Sequence, residues 1–130
     1  MLKQQSGFIL IEFIMVIVVL AALAVTAIPK YINLENQAVI GALNGIAGSL
    51  ASGSAINFAA CRAGAVAPAC LSGATMDNCT EVAATLVGDV LPAGYTITAL
   101  GLTAGTGSIS ACTLNRTTPA LSVPFSAITP

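Results

Sequence analysis

The chain has 130 residues, of which 56% are hydrophobic and only 7% are charged, and its formal net charge is −1. That length suits one domain with at most an appended segment, and the composition is too apolar for a disordered chain. The small net charge gives no basic patch for binding nucleic acid. The absence of histidine leaves few side chains that could act as the acid or base of an active site.

The first predicted element is an apolar helix over residues 8–28. Glu12 is its only charged side chain, and Thr26 is the only other polar one. As a helix, this run would be about 30 Å long, which is enough to cross a bilayer. One lysine lies on each side, Lys3 before the run and Lys30 after it, so the charges do not determine the orientation of the helix in the membrane. A cleaved secretory signal is the alternative, but the run is long for one and carries a glutamate in its first half.

Glu12 needs a partner, because a carboxylate at the centre of a membrane helix costs about 2–3 kcal/mol. The nearest cationic side chains in the sequence are Lys3 and Lys30. Cleavage after Gly7 would create an ammonium group on Phe8, one helical turn away. The carboxylate could then pair with that amine in its own chain or in a neighbouring one. A protonated or snorkelling glutamate at the membrane edge explains the residue equally well on chemistry alone.

The segment Gly7-Phe8-Ile9-Leu10-Ile11-Glu12-Phe13 resembles the cleavage and methylation signature of type IV prepilins. The leader Lys3-Gln4-Gln5-Ser6 and the run Pro29-Lys30-Tyr31 are similar to that family's polar leader and to the end of its apolar helix half. The resemblance covers about residues 1–35. It implies an α+β, pilin-like fold, in which a long N-terminal helix carries a small antiparallel β-sheet head.

The resemblance implies a role for each matched residue. Prepilin peptidase would require Gly7, cut the chain before Phe8 and N-methylate the new amine. Glu12 would pair with that amine in an adjacent subunit during assembly. Pro29 would mark a kink or a locally melted stretch. Ala21 stands where many members of the family have a helix-weakening glycine, so melting would depend more on Pro29 and its β-branched neighbours.

Residues 31–60 are predicted to continue the helix as an amphipathic half, and the head is expected to pack on its apolar stripe. That stripe consists of Ile32, Val39, Leu43, Ile46 and Leu50. Gly41 and Gly45 have a spacing that lets another backbone approach, as in packing along a filament core. The alternative is a helix that ends early, near Gly45 or Gly53, because each glycine costs about 1 kcal/mol. A helix over residues 8–60 would be about 80 Å long, which suits a filament subunit.

The 4 cysteines all follow the apolar span, and an even number in an exported segment predicts two disulfides. The absence of histidine and of a Cys-x2-Cys spacing argues against zinc. Three connectivities are open. We favour Cys61–Cys70, which closes a loop rich in Gly, Ala and Pro, with Cys79–Cys112, which ties the loop region to the sheet. Each disulfide could contribute about 2–4 kcal/mol to a head of about 70 residues.

The head is predicted to contain a short helix and three strands. Asn78 would cap a helix that extends to about Val90, with Glu81 at the reciprocal capping position. Strands are predicted over 95–102, 109–115 and 121–128, with a turn at 105–108. Pro124 indicates that the last strand is an edge strand or has a bulge.

These elements predict three parts: a leader at 1–7, a long helix at 8–60 and a disulfide-stapled head at 61–130. Residues 8–29 would lie in the membrane and later in the filament core. No metal, cofactor or direct nucleic-acid site is expected. An enzyme is not expected either, because the head has no histidine or lysine to activate a serine.

The resemblance implies a structural subunit of a type IV pilus, a filament that serves attachment, twitching motility or DNA uptake. The precursor would lie in the inner membrane, and the mature chain would form a homo-oligomeric fimbrium on the cell surface. Its partners would be prepilin peptidase, the pilus assembly machinery and minor pilins. A minor pilin or a type II secretion pseudopilin is the alternative, because these proteins share the same N-terminus.

Overall fold

The computed structural model describes residues 9–130. The chain begins with one long helix, α1, and ends with three strands, β1 to β3. In chain order the elements are α1 (Leu10–Arg62), 3-10 helices at Gly73–Thr75 and Cys79–Thr85, β1 (Tyr95–Ile97), β2 (Ile109–Arg116) and β3 (Leu121–Ile128). The strands form one antiparallel sheet in the order β1-β2-β3. The predicted α+β class, a long N-terminal helix followed by a small antiparallel sheet, is confirmed.

The chain divides after Ala38 into two units. In the first unit, the residues from Ile9 to Thr26 are all exposed, so this part of α1 has no core of its own. The second unit starts at Val39 and contains the rest of α1 and the sheet. The predicted division at residues 7 and 60 stays a prediction.

The core of the second unit lies between α1 and the sheet. Its largest buried side chains from α1 are Leu43 and Leu50, and they pack in one cluster with Leu114 of β2 and Phe125 of β3. This confirms that the amphipathic stripe faces the head at Val39, Leu43, Ile46 and Leu50, whereas the Ile32 side chain lies outside the described part of the chain. In β2 the buried residues alternate with more exposed ones, as expected for a sheet with one covered face.

β3 is an edge strand, because it pairs with β2 and with no other strand of this sheet. Pro124 lies opposite Thr113 in that pairing. Proline cannot donate to a ladder and is therefore tolerated at an edge. The prediction from Pro124 is confirmed.

The predicted helix after Asn78 is shorter and tighter than expected. It is a 3-10 helix that ends at Thr85 rather than near Val90. Beyond it, Gly88 and Asp89 have positive φ angles of 90° and 59°, which a right-handed helix does not allow. The predicted capping is confirmed, since Asn78 and Glu81 form a capping box.

The first strand is also shorter than expected, since it ends at Ile97 rather than at Leu102. Thr98 still donates to the carbonyl of Thr113 in β2 at 3.0 Å, but from Leu100 the chain pairs with the segment that starts the 3-10 helix. The N–H of Cys79 donates to the carbonyl of Leu100 at 2.8 Å, and that of Leu102 donates to Asp77 at 2.8 Å. These residues satisfy their backbone groups outside the sheet, which a strand pattern alone does not reveal.

Both favoured disulfides are present. Cys61–Cys70 joins the end of α1 to the following loop, with a Cα–Cα distance of 4.9 Å. Cys79–Cys112 joins the 3-10 helix to β2, with a Cα–Cα distance of 5.7 Å. The second disulfide is buried in the core, so it links the two elements that pack on α1.

Two buried polar side chains of α1 hold the head in place. Asn57 donates to the carbonyl of Leu71 at 2.8 Å and accepts from the N–H of the same residue at 2.8 Å. Ser54 donates to the carbonyl of Ala51 at 3.0 Å and accepts from the N–H of Ile128 at 3.4 Å. Buried polar groups need such partners, and these contacts specify how the loop and β3 sit on the helix.

Candidate functional site

The first surface of interest is the apolar stretch Leu10–Ile28 of α1. It is long and apolar enough to cross a membrane, and none of it is buried in the isolated chain. The hydroxyl of Thr26 donates to the carbonyl of Leu23 at 2.9 Å, so the helix satisfies this polar side chain internally. The stretch is compatible with membrane anchoring, because a helix with its polar groups satisfied is the form that a bilayer accepts.

Glu12 lies in the first turn of α1 and is exposed. Its carboxylate accepts a hydrogen bond from the backbone N–H of Ile9 at 3.1 Å. The carbonyl of Ile9 accepts from the N–H of Glu12 at 2.9 Å, so the two residues close the first turn from both sides. This is the reciprocal half of a capping box. A carboxylate at this position is also stabilised by the positive end of the helix dipole.

Glu12 stands out in the sequence as the only charged residue of the apolar run, but this local hydrogen bond was not predicted. The spacing of three residues between Ile9 and Glu12 is that of a capping box. The pattern was not recognised because isoleucine is an unfavourable N-cap residue. Gly7 and Phe8 lie outside the described residues, so cleavage, methylation and the pairing of Glu12 with a neighbour's amine stay predictions. At position 29 the helix continues, and the kink at Pro29 also stays a prediction.

The second surface is the side of α1 that faces away from the head, with Gly41, Gly45 and Gly48. All three are exposed. A methyl group added at any of them would meet no atom of the described chain within 4 Å beyond its own helical surroundings. The helix continues to Arg62, so the alternative of an early end near Gly45 or Gly53 is wrong.

Gly53 differs from these glycines. A Cβ there would collide with the side chain of Thr85, so the close approach of the 3-10 helix to α1 requires this glycine. Among residues 9–130, no contact of this kind is found at the other three glycines. The charge pattern agrees, since residues 36–61 contain no charged side chain. A helix face meant for water normally carries charged residues.

The charged side chains of the head lie apart. Glu81 accepts from the backbone N–H groups of Asp77 and Asn78, at 2.6 and 2.9 Å. Arg116 donates to the hydroxyl of Tyr95 at 3.0 Å and to the carbonyl of Thr118 at 2.8 Å. Within residues 9–130, no three His, Cys, Asp or Glu side chains lie close enough together to hold a metal ion.

The fold and its surfaces define a class: a long helix with an exposed apolar stretch at its start, followed by a small disulfide-stapled sheet. Comparison with protein-family models, with curated proteins and with solved structures finds no match for the chain.

Proposed function

We propose that this chain is the structural subunit of a type IV pilus. The precursor is cut after Gly7, N-methylated on Phe8 and polymerised from the inner membrane into a surface filament. The observation that carries the proposal is the outward face of α1, which is uncharged over residues 36–61 and has three glycines that no contact among the described residues requires.

The glycines have a measurable cost. Each destabilises a helix interior by about 1 kcal/mol relative to alanine, so Gly41, Gly45 and Gly48 together cost about 3 kcal/mol. A close contact with another helix offsets that cost, because glycine lets two backbones approach. In a filament, that other helix belongs to a second copy of the chain.

The apolar stretch Leu10–Ile28 supports the same proposal. Before assembly it lies in the membrane, and in the filament it packs against the same stretch of neighbouring copies. In the filament, the apolar side chains of neighbouring helices surround Glu12. The bond from the Ile9 N–H then satisfies only one of the hydrogen-bond positions of the carboxylate and leaves its negative charge without a partner. The methylated amine of Phe8 in an adjacent copy supplies the missing positive charge.

The head provides the outer surface of the filament. Two disulfides in a second unit of residues 39–130 stabilise a small core against mechanical and chemical stress outside the cell. Prepilin peptidase, the assembly machinery and minor pilins are the expected partners. Attachment, twitching motility and DNA uptake are the outputs that the family resemblance implies.

The proposal is tested by the intact mass, under non-reducing conditions, of the protein in filaments sheared from its native cells. We expect a chain that starts at Phe8, is heavier by one methyl group and is lighter by four hydrogens. A dominant amount in that fraction indicates a major subunit, and a trace amount indicates a minor pilin or a pseudopilin. A full-length chain found only in the membrane fraction refutes the proposal.

A second glycine variant controls for effects of a substitution on expression rather than on cleavage. Replacing Gly7 by a bulky residue should leave a full-length precursor in the membrane, whereas replacing Gly48 by alanine should leave processing intact. Normal filaments from the Gly7 variant would contradict cleavage as a requirement for assembly.

A further inference from the structure

The sheet of the head has two outer strands, β1 on one side and β3 on the other. An outer strand can pair with a strand of another chain through the backbone groups that point away from its neighbour. In an antiparallel pair, the N–H groups of successive residues point alternately towards the neighbouring strand and away from it. The N–H groups that point outwards therefore decide whether a second chain can add to either edge.

The β1 edge offers little backbone to a second chain, because the strand has only three residues. The N–H of Thr98, just after it, donates to the carbonyl of Thr113 in β2 at 3.0 Å. By alternation, the N–H groups of Tyr95 and Ile97 point away from β2. That of Tyr95 donates to the carbonyl of Pro92 at 3.3 Å, and Ile97 is buried. So short a strand, with one of two outward donors already used, is a poor template for pairing.

β3 is the longer edge, with eight residues. The N–H of Thr129, just after the strand, points towards β2 and donates to the carbonyl of Ser108 at 2.9 Å. The N–H of Ile128 points the other way and donates to the hydroxyl of Ser54 in α1 at 3.4 Å. The pairing of β2 with β3 continues without interruption, so the alternation holds along the strand. The outward positions of β3 are therefore Ser122, Pro124, Ser126 and Ile128.

Pro124 lies in the middle of these outward positions and has no N–H to donate. Its ring also occupies the space into which an incoming strand would bring a carbonyl group. The N–H of Ile128 is already used by α1. Only Ser122 and Ser126 offer outward N–H groups, and they are about 13 Å apart along the strand. A second strand therefore cannot form a continuous ladder with β3.

We infer that Pro124 and Ser54 protect β3 against strand addition by a second copy of the chain, so that copies associate through α1 and not through their sheets. The exclusion of the sheets from assembly rests on the proposed function, whereas the protection of the edge does not. The protection matters to any chain that meets many copies of itself, because pairing between open edges leads to aggregation.

Restoring the missing N–H tests the protection directly. Pro124→Thr introduces a donor and a residue that favours strands. For the full chain in detergent, we expect this variant to associate at a concentration roughly tenfold lower than the wild type, or lower still, because it gains a hydrogen bond and loses the blocking ring. Sedimentation velocity measures the association. The control Ser126→Thr, at an exposed residue of the same strand that already has its N–H, should sediment as the wild type does.

A third variant locates the association on the β3 edge. Adding Ser126→Lys to Pro124→Thr should restore the sedimentation of the wild type, because a charged side chain on an edge opposes pairing. Circular dichroism and non-reducing mass show which variants are folded with both disulfides, and Pro124→Val replaces a threonine variant that does not fold. A folded Pro124 variant that sediments as the wild type does, or equal association of Ser126→Thr, would overturn the inference.

Hydrogen exchange of the Ser122 and Ser126 amides tests the exclusion of the sheets from assembly. Both amides should exchange at similar rates in the detergent-solubilised wild type and in wild-type filaments, and at least about tenfold more slowly in associated Pro124→Thr. Slow exchange of both amides in wild-type filaments would overturn the exclusion of the sheets. If the wild type forms no filaments, the proposed function fails, whereas the sedimentation of the variants still decides whether the edge is protected.

Discussion

Alanine substitutions at Gly48 and Gly53 should change the stability of the head in opposite directions. Both glycines lie inside α1, and each alanine should gain about 1 kcal/mol from helix propensity. At Gly48 the added methyl group meets no atom of the described residues within 4 Å beyond its own helical surroundings, so the gain is kept. At Gly53 it collides with the side chain of Thr85, and such overpacking costs about 1–3 kcal/mol.

The assay is thermal unfolding of the full chain in detergent, followed by the circular dichroism of the sheet and with the disulfides intact. For a unit of this size, about 1 kcal/mol corresponds to a shift of about 4–8 °C in Tm. We expect Gly48→Ala to raise Tm by that amount and Gly53→Ala to lower it by up to about 10 °C. The combined Gly53→Ala and Thr85→Ala variant should recover only part of the loss, because it removes the colliding hydroxyl but keeps the Cβ of residue 85, which lies 2.9 Å from the added methyl group.

The same two variants separate stability from assembly. Gly48→Ala should reduce filament yield although it stabilises the subunit, because the methyl group prevents the close approach of a second helix. A Gly48→Ala chain that is more stable and assembles normally would refute the argument that this face packs against another copy. A Gly53→Ala chain that is stabilised as much as the Gly48→Ala chain would refute the close contact with Thr85.

Three further predictions concern single features of the chain. Asn57→Ala should lower the free energy of unfolding by about 2–3 kcal/mol, because the N–H and the carbonyl of Leu71 lose their partners. The control Asn44→Ala, at an exposed residue of the same helix, should change the free energy of unfolding by less than about 0.5 kcal/mol. Chemical denaturation measures both values. Replacing Cys79 and Cys112 together by serine should cost about 2–4 kcal/mol, and denaturation of the oxidised proteins tests this. Glu12→Ala should leave processing intact and lower filament yield sharply, measured by intact mass and by sheared filament yield; normal yield would contradict the pairing of the carboxylate with a neighbour's amine.

Short-range patterns predicted several elements correctly. Asn78 followed three residues later by Glu81 predicted a capped helix start, and both side chains bind backbone N–H groups there. Pro124 predicted an edge strand, and β3 lies at the edge. These predictions succeed because a cap or a missing N–H acts on backbone groups within a few residues.

The predicted ends of elements were less accurate where the chain had a competing partner. Nothing near Ile97 indicates that the following residues leave β2, because their hydrogen-bond partners lie around Asp77, about 20 residues earlier. The 3-10 helix likewise ends at Thr85, where Gly88 and Asp89 turn the chain with left-handed conformations. Glycine and aspartate both tolerate that conformation, so this pair was a turn signal that the helix prediction did not use.

The residue pattern was sufficient for the long helix, its apolar first stretch and the stripe that meets the head. It left three pairings of the cysteines open, and the structure shows the favoured one. Periodicity and composition act along the helix, and they are visible in a linear chain. The roles of Asn57 and of the glycines depended on the folded chain. Gly53 and Gly48 look alike in the sequence, but they differ because Thr85 approaches one of them and nothing within the described chain approaches the other. Contacts between residues far apart in sequence arise from packing, and a linear pattern does not contain their distances.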